Sequence, residues 1–118
     1  MELAVCLPML IILVFGSIEG GNAIHLKQSA TMAAYEAAQA ATSSGGTQSD
    51  ALERGNNILT QRRVQNGMIS ISPTISSATP AGTTITVTCT IPVNSNTLGL
   101  MALFNGLEVN STINMKKL

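Results

Sequence analysis

The sequence has little charge, few aromatic residues and almost none of the side chains that build metal or disulfide sites. Charged residues make up 10% of its 118 residues and aromatic residues 3%, whereas about 25% charged residues is usual in a globular domain. Six acidic and six basic side chains cancel, so nothing indicates binding to nucleic acid or to another polyanion. Two cysteines and one histidine are too few for a disulfide scaffold or a four-ligand zinc site. A hydrophobic fraction of 45% excludes a disordered chain.

The ionisable residues show no spacing that is typical of catalysis. His25 is the only histidine, and its nearest ionisable neighbours are Lys27 and Glu19, of which Glu19 lies off its helix face. The acidic residues are scattered, without a carboxylate pair or a cation-ligand spacing, at Glu2, Glu19, Glu36, Asp50, Glu53 and Glu108. The sequence has no phosphate-binding glycine loop. We therefore expect no enzyme activity, no cofactor and no bound metal.

A long apolar run fills the N-terminal region. Residues 3–18 read LAVCLPMLIILVFGSI, without a charge, between Glu2 and Glu19. As a helix this run is about 24 Å long, slightly short of the roughly 20 residues that span a bilayer. A cleavable signal peptide fits badly, because the leading charge is acidic. Apolar residues occupy every side of the run, so lipid or other copies of the chain must cover it.

The apolar run continues into an alanine-rich region without a stop signal. Residues 22–41 are rich in Ala, the best helix former, and SSGG at 43–46 then ends the pattern. We predict one helix over residues 2–42, bent near Pro8 because proline removes a backbone hydrogen bond. Gly16 and Gly20 form a G-x-x-x-G spacing that allows close helix–helix contact. Alternatively, these glycines only weaken the helix.

The remainder predicts a small α+β domain. Thr47 and Asp50 form a helix-opening capping box, and Asn66-Gly67 would close that helix, which covers about 48–64. Alternating apolar residues then predict three strands of an antiparallel sheet, around Ile69 and Ile71, over residues 83–91, and at Leu107, Val109, Ile113 and Met115. Residues 97–104 indicate a short helix or packed turn. We divide the chain into the helix 1–42, a linker 43–47 and the domain 48–118.

With these elements in place, the N-terminal region resembles the TadE-like family of pilins and pseudopilins of tight-adherence pili, which are related to type IV pili. The likeness lies in ELAV at 2–5, Leu7-Pro8, the aliphatic run to Phe15-Gly16, Ile18-Glu19, and the small-residue stretch AAYEAA at 33–38. The resemblance implies a pilin-like fold, processing by a prepilin peptidase and contact with the pilus assembly machinery. It also implies residence in the inner membrane before assembly, followed by export into a filament.

The resemblance and the apolar run together predict a structural subunit of an extracellular pilus, which polymerises with copies of itself for adhesion or surface contact. The alternative is a minor, membrane-anchored pseudopilin that primes or caps a pilus made of another subunit. The residues expected at subunit contacts are acidic, proline, glycine and apolar positions of the first helix: Glu2, Leu3, Leu7, Pro8, Leu10, Ile11, Val14, Phe15, Gly16, Glu19 and Gly20.

Glu2 has two interpretations. In the resembling pilins this glutamate neutralises the N-terminal amine of an adjacent subunit, and a carboxylate bound for an apolar core needs such a partner. Alternatively, Glu2 is a helix N-terminal charge at the lipid or solvent boundary. Type IV-type pilins commonly carry the glutamate at the fifth place after cleavage, whereas it is second here, which leaves the cleavage site open.

Two further features concern covalent chemistry. Cys6 and Cys89 are expected to lie too far apart for a disulfide and to act as small apolar residues. Asn110-Ser111-Thr112 matches the acceptor triplet for N-glycosylation, but such triplets are common. Strand propensity explains the many threonines without O-glycosylation.

Overall fold

The structure is a computed structural model that describes residues 2–76, 78–93 and 108–118. It contains two helices and three strands: α1 (Glu2–Thr42), α2 (Gln48–Gln61), β1 (Met68–Ser72), β2 (Thr84–Pro92) and β3 (Glu108–Lys116). The predicted α+β class, with a long N-terminal helix, a short helix and a three-stranded antiparallel sheet, is confirmed. The helix or turn predicted over 97–104, and Leu107 of the predicted third strand, lie outside the described residues.

The sheet has the strand order β1-β2-β3, with both neighbouring pairs antiparallel. On β2, Ile85, Val87, Cys89 and Ile91 are all fully buried, as the alternation with threonine predicts. Thr88 lies opposite both Ser70 of β1 and Thr112 of β3. The sheet therefore has an apolar inner face and an outer face on which hydroxyl and amide side chains predominate.

The second half of α1 packs inside the domain that the rest of the chain forms. Leu26 is 2% exposed, and the small residues that follow it are buried as well: Ala30, Ala33, Ala34, Ala37, Ala38, Ala40 and Ala41. These alanines contact α2 and the inner face of the sheet. Short side chains let the three layers approach closely. The alanine-rich stretch thus builds the core of its own subunit.

Close packing of α2 requires a glycine. A Cβ on Gly55 would overlap the Cδ1 atom of Ile69 and would lie 3.2 Å from the Cβ of Ala37 and 3.3 Å from the carbonyl oxygen of Ala33. Ala51 and Leu59, one turn to each side of Gly55, are buried on the same face of α2. A side chain at position 55 would have to displace the Cδ1 end of Ile69 and would crowd Ala33 and Ala37 of α1.

The start of α2 is confirmed and its predicted end is corrected. Thr47 is the N-cap, and its Oγ1 accepts a hydrogen bond from the Asp50 N–H at 3.3 Å. The helix ends at Gln61 rather than near Val64, because Arg63 adopts a left-handed φ of 58°. Two backbone hydrogen bonds complete this C-terminal motif, Arg63 N to Thr60 O at 3.1 Å and Val64 N to Leu59 O at 2.9 Å.

A buried lysine closes the C-terminal end of α1. The Nζ atom of Lys117 donates to the carbonyl oxygens of Ala41 at 3.1 Å and Ser43 at 2.5 Å, and lies 3.5 Å from that of Gly46. The last turn of α1 has no basic residue of its own. Lys117 therefore supplies the positive charge that a helix C-terminus favours. The backbone N–H of Leu118 also bonds to the carbonyl oxygen of Thr42, at 2.9 Å.

Candidate assembly surface

The first half of α1 extends away from the domain with its apolar side chains uncovered. We call residues 3–18 the apolar segment. Its large apolar residues from Leu3 to Val14, together with Ile18, are between 44% and 78% exposed. The described part of the chain contains one helix that is long and apolar enough to cross a membrane, and it is α1. In the most apolar 18-residue window of α1, only 6% is buried within the subunit.

One side of the apolar segment carries an open depression. Its described lining consists only of apolar side chains that were predicted at subunit contacts: Leu7, Leu10, Ile11, Val14 and Phe15. The spacing of these residues, three or four apart, places them on one helix face. An open, apolar helix face of this kind suits the ridges of a second helix better than a small ligand.

The glycines after this depression leave the helix backbone accessible. A Cβ on Gly20 or on Gly21 would meet no described atom within 4 Å. Gly16, which precedes Gly20 by one turn, is partly buried. The G-x-x-x-G spacing is therefore not explained by a contact of Gly20 inside the described subunit. It remains a prediction about contacts between subunits.

The two glutamates that flank the apolar segment have different surroundings. Glu2 is exposed in the first turn of α1, where a negative charge is favoured by the helix dipole. Glu19 is 2% exposed and takes part in an interaction within the subunit. Their separation of 17 residues corresponds to about 25 Å along the helix. The structure therefore brings the predicted apolar contact residues together on α1, but not these two carboxylates.

The second half of α1 has an exposed side that carries large apolar residues. Ile24 is 62% exposed, Met32 42% and Tyr35 44%, although the opposite side of the same helix is buried. The phenol oxygen of Tyr35 accepts a hydrogen bond from Nε2 of Gln39 at 2.9 Å. These side chains continue the exposed surface toward the end of α1.

The groups considered for chemistry lie apart. His25 is exposed on α1. Cys6 is exposed and Cys89 is buried, and both are free thiols. Burial raises the pKa of the Cys89 thiol from 9.0 to about 11, so this cysteine is a protonated core residue at neutral pH. Within residues 2–76, 78–93 and 108–118, no three His, Cys, Asp or Glu side chains are arranged to hold a metal ion.

The comparison with known families rests on the same segment. Residues 1–39 match the TadE-like protein family. The resemblance predicted from the glutamate, the Leu-Pro pair and the F-G-x-I-E string is therefore confirmed for this third of the chain. No curated protein and no solved structure matches the chain.

The matched residues 1–39 include the apolar segment and most of the second half of α1, which packs inside the domain. This similarity associates the protein with tight-adherence pilus systems, and the TadE-like family is not an enzyme family. An apolar N-terminal helix fits a protein of the membrane or of a pilus.

Proposed function

We propose that the protein is a structural subunit of an extracellular tight-adherence-type pilus, which polymerises through α1 and serves adhesion or surface contact. The observation that carries the proposal is the uncovered apolar segment on a helix whose other half is packed in its own domain. The TadE-like match to residues 1–39 supports the same function.

The energetics favour a partner along the whole apolar segment. Ten large apolar side chains between positions 3 and 18 are exposed by 44% to 78%. Covering the remaining area would contribute on the order of 10 kcal/mol, at about 1.5–3 kcal/mol for each side chain that becomes fully buried. A bilayer supplies this cover before assembly, and neighbouring copies of α1 supply it in a fibre. The proposal thus includes an inner-membrane stage and an extracellular stage.

Within a fibre, we expect the apolar segments of neighbouring subunits to pack side by side. The depression lined by Leu7, Leu10 and Val14 accepts apolar ridges of a second helix, and Gly16 and Gly20 allow the backbones to approach. Glu2 pairs with the N-terminal amine of the adjacent subunit, which removes the cost of placing a carboxylate in an apolar core. Prepilin peptidase and the pilus assembly machinery act before this step.

Electron microscopy of fibres purified from cells tests the proposal. The wild-type chain should be present along the whole fibre, and a chain that lacks residues 1–24 should remain a soluble monomer. The truncation leaves Leu26 and the alanine-rich half of α1 in place, so the domain keeps its core. If the chain were detected only at the ends of fibres, this result would instead favour a minor pseudopilin. Fibres formed by the truncated chain would contradict assembly through the apolar segment.

A second variant separates assembly from membrane insertion. Gly16→Leu adds a side chain that lipid accepts but that a close helix–helix contact does not. We expect normal amounts of this variant in the membrane and no fibres. Gly21→Leu, which adds the same side chain outside the G-x-x-x-G pair, is the matched control and should assemble better. If Gly16→Leu formed normal fibres, Gly16 and Gly20 would only weaken the helix locally and would not mediate a contact between subunits.

A further inference from the structure

The outer face of the sheet holds the one N-glycosylation acceptor triplet of the sequence. Asn110 is followed by Ser111 and Thr112, and none of the other asparagines has Ser or Thr two positions later. The sequence pattern alone is common, so its meaning depends on where the fold places these residues.

The fold places the first and third side chains of the acceptor triplet, Asn110 and Thr112, on the same exposed surface. Alternation along β3 puts Asn110 and Thr112 on the outer face, and both are exposed. Ser111 points inward, is 8% exposed, and its Oγ lies 3.0 Å from Oγ1 of Thr31 on α1. The middle residue of the triplet therefore fixes the strand to the helix, while the acceptor amide and the recognised hydroxyl face outward.

The surroundings of Asn110 leave space for a bulky, hydrophilic group. Thr90 of β2 and Met68 of β1 continue its row across the sheet, and neither is charged. Both helices pack on the other face of the sheet. A group attached to Asn110 would therefore point away from α1 and would not cover the apolar segment.

We propose that Asn110 is the attachment site of an N-linked glycan. The co-substrate is an oligosaccharide linked to a polyprenyl diphosphate. The carboxamide nitrogen of Asn110 forms a bond to the anomeric carbon of the first sugar, and the bond from that carbon to the diphosphate oxygen breaks. The amide loses one proton, and polyprenyl diphosphate leaves with the electron pair of the broken bond. No oxidant or reductant is required.

The position of Asn110 in the sheet indicates when the transfer takes place. Asn110 is opposite Thr90 in the β2–β3 ladder, and its carbonyl oxygen accepts a hydrogen bond from Nζ of Lys27. The hydroxyl of Thr112 lies 3.3 Å from that of Thr88, so it is engaged within the sheet. The acceptor triplet requires this hydroxyl, so the transfer precedes the pairing of β3 with β2, during export. This timing rests on the proposed function, which places the domain outside the cytoplasm.

Peptide mass spectrometry on the full-length protein from its own cells tests the inference. Cleavage after Glu108 and Lys116 releases residues 109–116, which contain the acceptor triplet. We expect an oligosaccharide mass on this peptide, lost in Asn110→Gln and in Thr112→Val. Asn114→Gln is the matched control, because Asn114 is exposed on the same strand face but has no hydroxyl residue two positions later.

Ser111→Ala is the structural control. It breaks the contact with Thr31 but keeps an acceptor triplet, so modification should persist if recognition rather than strand packing governs it. An unmodified peptide from protein recovered in fibres or in the membrane would overturn the inference and leave the proposed function intact. An unmodified peptide from protein confined to the cytoplasm would contradict both.

Discussion

The buried ammonium of Lys117 makes a sharp prediction about stability. Lys117→Met keeps most of the apolar stem and removes the positive charge from three backbone carbonyl groups at the end of α1. The side chain of Lys117 is only 4% exposed, so water does not readily replace the lost donor. A hydrogen bond to a charged group contributes about 1.5–3 kcal/mol, and a charge at a helix end about 0.3–1 kcal/mol.

Two of the three carbonyl contacts lie within 3.1 Å, and burial of the ammonium offsets part of their benefit. We therefore expect Lys117→Met to lower the free energy of unfolding by about 2–4 kcal/mol, since the lost bonds exceed the recovered desolvation cost. For a domain of this size each kcal/mol corresponds to about 4–8 °C in Tm. Thermal unfolding of the full-length chain in detergent, followed by circular dichroism, measures the change.

Lys116→Met is the matched control for this experiment. It removes the same charge from the neighbouring residue, which is exposed at the end of β3, and it should change Tm by less than about 3 °C, as most surface substitutions do. Hydrogen exchange adds a local measurement: Lys117→Met should speed exchange of the Leu118 amide, which bonds to Thr42 O. Equal unfolding temperatures for the two variants would refute the assigned role of Lys117.

The remaining predictions concern packing, pH and assembly. Gly55→Ala should lower the free energy of unfolding by about 1–2 kcal/mol, because the clash with Ile69 outweighs the gain in helix propensity; urea titration measures it, and a stabilised variant would contradict the close packing. Because burial raises the pKa of Cys89 from 9.0 to about 11, the unfolded chain loses the thiol proton first as pH rises. Stability should therefore fall between these two values, by up to about 2.7 kcal/mol, and Cys89→Ala, compared at each pH, should lack this component. Glu2→Gln should leave membrane levels normal and sharply reduce fibre yield. If the yield of fibres and their resistance to high salt were both unchanged, pairing of Glu2 across subunits would be excluded.

The strands and the first helix could be predicted because their signals are local. The alternation of Ile85, Val87, Cys89 and Ile91 with threonines specifies one buried face whatever lies against it. The uncharged run before Glu19 likewise specifies an uncovered surface without knowledge of the rest of the chain. These are patterns of neighbouring residues, and the structure confirms the helix and strands that they indicate.

The features that could not be predicted depend on distant partners or on an unusual backbone. Lys117 and Ala41 are 76 residues apart, and no sequence spacing connects them. The end of α2 was misplaced because Asn66-Gly67 was expected to close the helix, whereas the left-handed conformation of Arg63 ends it earlier. The alanine-rich stretch indicated a helix, but its composition could not show that α2, rather than a neighbouring subunit, covers it.

α1 passes from the apolar segment into the core of the domain as one unbroken helix. No loop separates the apolar segment from the part of α1 that carries the sheet. The direction in which the domain faces is therefore fixed by the rotation of α1 about its own axis. One residue added between Ile18 and Ile24 would turn the domain by about 100° and raise it by about 1.5 Å. The outer surface of a fibre built in this way is thus set by the number of residues in α1 as much as by their chemistry.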